Sequence, residues 1–525
     1  MPSIRPAPYQ LVALSKTLVT RGAPLLITDG VGVGKTIAAG YCIYWSVARE
    51  GHTALVVCPV SLVDKWVNEL RSKFDLEAHP IRSAEEMRTA ERESELSRQG
   101  RVYVLPFSRI DLPMDLEYNL LVVDEIHNFR NNETKSWNSM RALAAKATQR
   151  IGLTATPVNN SVDDLFHEYA ILCPESPGIV VDAALGHLWG QRETGVLNAL
   201  ITRFLKEKLK IHFARREIRQ VIVDYPESYS DHVNKTVHEL TGRRGGRGRF
   251  PLETITYYRT ASSSPAAFAK STATDPLNIP DSKRAALIEL VGDLRRQAIV
   301  FCQYRETISY LTNALPDLPC YVVTGDVPGP SRMEILERFR KDPRGILFLT
   351  AVGSEGLDLQ FCDVVINYDL HWNPMVLEQR IGRIDRVGQT KSEILVYNFH
   401  VAGSIDEKLV EVISDKLSKL EGSPFSPAPI TSSRSQLYDS QALERERLEA
   451  IAALRGLEES RALASADLRI LPSINAKFCD PKALLKAKPL EWLKVDPTTQ
   501  AWQASTTRAF QTLEDKLKQY GEAAA

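Results

Sequence analysis

The chain has 525 residues, 44% of them hydrophobic and 25% charged, and Lys+Arg balances Asp+Glu at 65 each. Such a composition excludes a chain disordered throughout, a collagen-like fibre and a disulfide-scaffolded secreted module. With no net charge, any contact to nucleic acid has to come from local basic surface. The length predicts about three domains. Cysteines 42, 58, 173, 302, 320, 362 and 479 form no CxxC pair, which argues against a zinc ribbon and predicts a reducing compartment. No run approaches the roughly 18 apolar residues of a membrane span, and MPSIRPAPYQ carries no signal-peptide core, so a soluble cytoplasmic protein is expected.

In chain order, short β-branched runs come first: PLLITD (24–29), TALVVC (53–58), RVYVLP (101–106), NLLVVD (119–124) and QRIGLT (149–154). Amphipathic stretches of helix length separate them, which predicts parallel strands covered on both faces. The stretch 174–280 has no comparable series and reads as a mostly helical insertion. Its GRRGGRGRF segment (242–250) is too rich in glycine for a helix or strand interior. It is either a surface loop or an arginine-bearing contact to phosphates. A second strand series follows: QAIVFC (297–302), CYVVTG (320–325), GILFLT (345–350), DVVINY (363–368) and EILVYNF (393–399). EGSPFSPAPITSSRSQ (421–436) has linker composition, and 437–464 reads as a long, heavily charged surface helix. The expected class is therefore α/β, with doubly wound parallel sheets in 1–173 and 281–422, the helical insertion 174–280, and a linker and helical tail over 423–525.

Chemistry enters with GVGVGKT, which directly follows the first strand. Small residues let backbone N–H groups curl around a phosphate, Lys35 supplies a point charge, and Thr36 offers a hydroxyl to magnesium. The strict phosphate-loop pattern has Gly where Asp29 stands. Further on, LLVVDEIH places Asp124 and Glu125 at the end of an apolar strand. One carboxylate can hold the metal there, while the next orients and deprotonates water. A capping Asp-Glu pair would be the ordinary reading without the loop upstream. In QRIGRIDRVGQ (379–389), Arg380, Arg383 and Arg386 recur every third residue, which predicts that they lie close to one face of a helix or tight turn. A transferring phosphoryl group needs such guanidinium groups.

Together DGVGVGKT, VVCPVSLVDKW, VVDEIH, GLTATPVNN, TAVGSEGLDLQ and QRIGRIDRVGQ resemble superfamily 2 helicase-like ATPases, and more narrowly the SWI/SNF family, over residues 4 to about 420. In that family Asp is usual at the position of Asp29. Asp385, with SSSPAAF (262–268), points to the bacterial HepA/RapA-like branch. The resemblance implies two RecA-like lobes with an ATP cleft at their interface. It implies ATP and Mg2+ as ligands, with Asp29, Gly30, Val31, Gly32, Val33, Gly34, Lys35, Thr36 and Gln379 at the nucleotide. Gln10 would read adenine, and Thr36 and Asp124 would hold the metal. Glu125 would be the catalytic base, and Arg383 and Arg386 would be finger residues from the second lobe. His127, Thr154 and Thr156 would couple the site to lobe movement. Ser61, Trp66, Ser108, Thr350, Gly353, Gly356 and Gln360 lie in motifs that line the DNA groove, although Trp66 and Trp372 are more often packing than ligand contacts and Gly356 is equally read as a tight turn.

The expected function is ATP-driven translocation on double-stranded DNA that displaces or remodels bound proteins. Protein partners would recruit or regulate the motor in defence or transcription recycling. A strand-separating DNA or RNA helicase is the alternative enzyme, and a DNA-binding scaffold without turnover is the alternative of another class.

Overall fold

The computed structural model describes residues 2–4, 6–20, 22–96, 100–157, 162–191, 199–206, 209, 213–242, 252–354, 356–407, 508 and 511–522. The glycine-rich loop from 243 onward, the linker 421–436 and the expected helix 437–464 lie outside them. The chain falls into two units, Met1–Ile211 with Gly456–Ala525, and His212–Arg455.

The first unit holds β1 (Leu25–Ile27), β2 (Ala54–Cys58), β3 (Ala78–Pro80), β4 (Val102–Pro106), β5 (Leu120–Val123), β6 (Gln149–Leu153) and β7 (Ile201–Thr202). They form one sheet in the order β3-β4-β2-β5-β6-β1-β7, parallel at each pairing. Side chains alternate across a strand, so each of its faces is read by every second residue. Leu55 and Val57 of β2 enter one buried cluster, while Ala54, Val56 and Cys58 enter another. Both faces are therefore covered, which is why the strands read as unbroken apolar runs.

The second unit repeats the plan with β8 (Arg215–Val223), β9 (Ala298–Phe301), β10 (Cys320–Val323), β11 (Ile346–Leu349), β12 (Val364–Asn367) and β13 (Glu393–Val401). Their order is β10-β11-β9-β12-β13-β8, again parallel. Ala298, Val300 and Cys302 face one cluster and Ile299 and Phe301 the other. The doubly wound α/β class is thus present twice.

The stretch 174–280 departs from a separate helical insertion. The helix Gly178–Gly190 packs Val181, Leu185 and Leu188 into the first unit's core. Strand β8 pairs with β13 along all nine of its residues, from Arg215 opposite Glu393 to Val223 opposite Val401. Its sequence RREIRQVIV hid it: an edge strand has only one neighbour, so its exposed positions carry arginines that break the apolar run. Near the C-terminus, helix 511–522 buries Leu513 against the first unit, with Leu517 beside it.

SSSPAAF has a structural role. Ser264 caps the helix Pro265–Thr272 by accepting from the Ala267 N–H at 3.1 Å, and its hydroxyl meets that of Thr307 at 2.8 Å. Ser263 donates to Asp369 at 2.9 Å, and the fully buried Lys283 donates to the Ser262 carbonyl at 2.8 Å. These bonds fasten the helical segment to the second sheet. Among the described residues, no helix is long and apolar enough to cross a membrane.

His400 on β13 is fully buried, and neither of its ring nitrogens has a hydrogen-bond partner. Burial, with the nearby charge of Lys283, lowers its pKa from 6.5 to about 4. No protonation penalty therefore applies above pH 6.5, and stability is lost as pH falls from there towards 4. Denaturant melts between pH 7.5 and 4.5 should show a loss of up to about 3 kcal/mol from this group. His400→Leu should flatten that slope, and an unchanged slope in the variant would assign the acid sensitivity elsewhere.

Candidate active site

Parallel strands put their C-terminal ends along one edge of a sheet, where loops can present polar groups. In the first unit β1 runs into the GVGVGKT turn, and the helix Lys35–Tyr44 starts immediately after it. Gly32 and Gly34 have φ of 78° and 97°, a region that L side chains rarely adopt. At Gly34 an added Cβ would also stand 2.5 Å from Gln10 Nε2, so a side chain there would have to displace the Gln10 amide. Gln10 is buried against the loop, donating to the Val33 carbonyl at 3.2 Å and accepting from the Ala7 N–H at 3.0 Å. Tyr9 donates its hydroxyl to the same Val33 carbonyl at 2.6 Å. Val31, Lys35 and Thr36 remain partly open to solvent.

Asp29 is turned away from this mouth. It is 2% exposed and accepts from the Phe204 N–H at 3.0 Å, while the Gly30 N–H donates to the Phe204 carbonyl at 2.7 Å. Its bond to the Phe204 N–H anchors the loop. Arg203, which nothing in the sequence marked, is 2% exposed and donates to the Thr28 carbonyl and, at 3.0 Å, to that of Ala155. It ties the loop to the GLTATP turn.

Lys35 donates to the carbonyls of Asp29 at 3.0 Å and Gly30 at 3.3 Å. Burial lowers its pKa, the charges of Glu125, Asp29 and Asp124 oppose that shift, and Arg203 adds to it. The cation and both carboxylates of the DE pair therefore share one electrostatic site. Asp124 is 7% exposed, with Oδ2 accepting from the Trp66 indole N–H at 2.9 Å and Oδ1 from the Glu125 N–H at 2.9 Å. Burial first, and the Glu125 charge next, push its pKa up to about 6, against the Trp66 hydrogen bond and Lys35.

Glu125 has φ of 49°, rare for a residue with a side chain and of a kind that clusters at functional sites. Its carboxylate lies 3.3 Å from His127 Nδ1, and that nitrogen is 3.3 Å from the Thr154 hydroxyl. The Thr154 hydroxyl in turn accepts from the Thr156 N–H at 3.0 Å. The expected coupling residues thus form one chain from β5 to the turn after β6. Thr36 and Asp124 are hard oxygen donors, the kind Mg2+ takes together with phosphate oxygens and water. No group of three or more His, Cys, Asp or Glu that could hold a metal exists among the described residues.

In the second unit the HWNP turn acquires a reason. Asn373 caps the helix Pro374–Ile381 by accepting from the Met375 N–H at 2.9 Å, and His371 accepts from the Asn373 N–H at 3.0 Å. Gln379 is half-buried on that helix. The three arginines do not share a face, because the helix stops at Ile381. Arg380 is 3% exposed and donates inward to Asn367 at 3.2 Å and to the Asp369 carbonyl at 2.6 Å. Arg383 and Arg386 lie partly open on the turn beyond, Arg386 donating to the Gly382 carbonyl at 2.6 Å and pairing with Asp358.

The residues expected at a DNA groove divide. Ser108 is exposed, and Ser61 and Gln360 are partly so. Trp66 is 1% exposed and spent on Asp124, so it is not a DNA-facing aromatic. Thr350 is buried and accepts from the Gly353 N–H at 3.2 Å. Gly353 passes so close to β10 that a Cβ would stand 2.3 Å from the Val323 carbonyl oxygen. Gly356 turns the chain at φ 73°. These two glycines and Thr350 build the turn itself.

A phosphate loop, a carboxylate pair beside its lysine and a second parallel-sheet unit carrying partly open arginines define a helicase-like ATPase. The SNF2-related domain family matches residues 11–177, and the helicase conserved C-terminal domain matches 282–388, together just over half of the chain. An uncharacterised ATP-dependent helicase of Bacillus subtilis, YqhH, is 25% identical over 80% of this chain and 80% of its own length. The RNA polymerase-associated protein RapA of Photobacterium profundum is 25% identical over 79% of this chain and 50% of its own, so the chain spans about half of RapA. A solved SWI2/SNF2 ATPase core of Sulfolobus solfataricus in complex with dsDNA is 19% identical, with a TM-score of 0.36, over 80% of this chain and 92% of that one. The chain belongs to the SWI/SNF family of superfamily 2 helicase-like ATPases, and its likeness to RapA agrees with the bacterial HepA/RapA-like branch.

Trp66→Phe keeps the apolar filler and removes the N–H held by Asp124. The Mg2+ concentration for half-maximal ATP hydrolysis should rise about tenfold, because partners that orient a metal ligand contribute on that order. A magnesium titration with an unchanged midpoint would show that Asp124 is oriented without Trp66.

Proposed function

We propose that this protein is an ATP-driven translocase on double-stranded DNA. The observation that carries the hydrolytic part is the convergence of Lys35, Asp124 and Glu125 behind the GVGVGKT turn. In this reading the loop amides from Gly30 to Gly34 and the Lys35 ammonium hold the phosphates, with Gln10 beside the loop on the adenine side. Thr36 and Asp124 hold Mg2+, which when bound neutralises charge on the transferring phosphoryl group. Glu125 orients the attacking water and takes its proton, and the second unit contributes Gln379 and the guanidinium groups of Arg383 and Arg386. The contact from Glu125 through His127 to Thr154 links the base to the turn after β6, which is the means of coupling hydrolysis to movement.

Family membership supports duplex DNA as the track. Ser61, Ser108 and Gln360, with the backbone turns at Thr350, Gly353 and Gly356, are the proposed contacts. These neutral groups can position phosphates without reading sequence, and the salt-dependent part of the grip comes from basic side chains beside them. Protein partners that recruit the motor belong to the same reading, and the name of RapA supports transcription as one setting.

ATP turnover measured without nucleic acid and with duplex DNA, single-stranded DNA or RNA tests the proposal. Strong stimulation by duplex alone, lost in Glu125→Gln, is expected. Preference for single strands or RNA would replace it with the unwinding helicase, and no turnover in any of the four conditions would sink it. Affinity for duplex should also fall at least about a hundredfold between 50 and 200 mM salt. An affinity constant across that range, in a salt titration, would remove the phosphate-based grip.

A further inference from the structure

Strand β8 alternates its side chains between two faces, so Arg216 and Ile218 point the same way. Ile218 packs on the cluster that contains Ile381 and Ile384, which lie at the end of the Gln379 helix and in the turn after it. Arg216 therefore reaches the same segment. Its Nη1 donates to both carboxylate oxygens of Glu378, at 2.9 and 3.1 Å. Its Nε and Nη2 both lie 2.7 Å from Asp385 Oδ2. The Arg216 side chain is 16% exposed and that of Asp385 only 1%. Burial works against the guanidinium charge, yet the two carboxylates outweigh it and hold the cation more firmly than water does.

One planar group thus grips the two ends of the segment 378–385. Arg383 stands inside that segment and Arg386 immediately follows it. We propose that Arg216 is a positioning residue that fixes Arg383 and Arg386 for the transferring phosphoryl group. The proposal rests on the reading of those two arginines as fingers. Without Arg216, the carboxylates of Glu378 and Asp385 would lose the cation that bridges them. Their repulsion, with Asp385 almost fully buried, would loosen the turn. A displacement of about 1 Å at groups that must meet a transition state can cost about a hundredfold in rate.

The experiment uses the full chain and compares Arg216→Met, Arg216→Lys, Asp385→Asn and Arg383→Ala with the parent protein. Measured for each are kcat with duplex DNA, the melting temperature, and affinity for MgADP with and without aluminium fluoride, whose complex mimics the transferring phosphoryl group. Arg216→Met should lower kcat about ten- to a hundredfold. It should also lose the extra affinity that fluoride confers, while MgADP affinity stays within about twofold. Asp385→Asn should move in the same direction, and Arg216→Lys should recover part of the loss because it keeps the charge without the fork. Were Arg216→Met not to fold, the Asp385→Asn and Arg216→Lys variants carry the same comparison. A normal kcat and fluoride response in the Arg216 and Asp385 variants beside a crippled Arg383→Ala would overturn the positioning role and leave the finger reading intact. An unimpaired Arg383→Ala would overturn the finger reading, and this proposal with it.

Discussion

The most deeply buried acids of the candidate site are each held by a partner supplied from another element. Asp124 at the end of β5 leans on Trp66 from the helix Val63–Phe74. Asp29 is pinned by the backbone of Phe204, and Arg203 beside it bonds to the carbonyls of Thr28 and Ala155. This follows from the doubly covered sheet, whose strands offer polar chemistry only at their ends, already half inside the protein. Desolvating charges there is costly unless hydrogen bonds replace water. The elements that supply those bonds thereby fix the geometry of the site.

This arrangement explains why the strands were legible and the supports were not. TALVVC and NLLVVD announce β2 and β5 because a strand buried on both faces must be apolar throughout. The phosphate loop and the DE pair were legible because phosphate and metal chemistry constrains residue type and order along a few neighbouring positions. The motif around Trp66 suggests a groove residue, while a large aromatic of this kind is more often packing. The indole's actual partner stands 58 residues further on, and no local pattern connects the two. Arg203 and Arg216 were invisible for the same reason, since their bonds span tens to more than a hundred residues. The period-three arginines show the converse error. A spacing that implies a shared face holds only while the helix continues, and this one ends at Ile381, between the first arginine and the second.

Strand β8 shows how two such failures share a cause. As an edge strand it is bonded on one side only, so its sequence can carry Arg215, Arg216 and Arg219 where a central strand could not. The polarity that concealed the strand is what gives Arg216 its reach. Asp385 has the complementary character, an acid at 1% exposure within an otherwise arginine-rich turn. Taken alone, each looks like a departure from pattern. Buried acid and half-buried base are intelligible as a pair, since an acid at 1% exposure needs a cation in place of water and Arg216 supplies one. A change at one position therefore constrains the other, although 169 residues separate them. The arginine-bearing turn is in this sense specified from both ends of the second unit, and β8 belongs to its chemistry as much as the motif does.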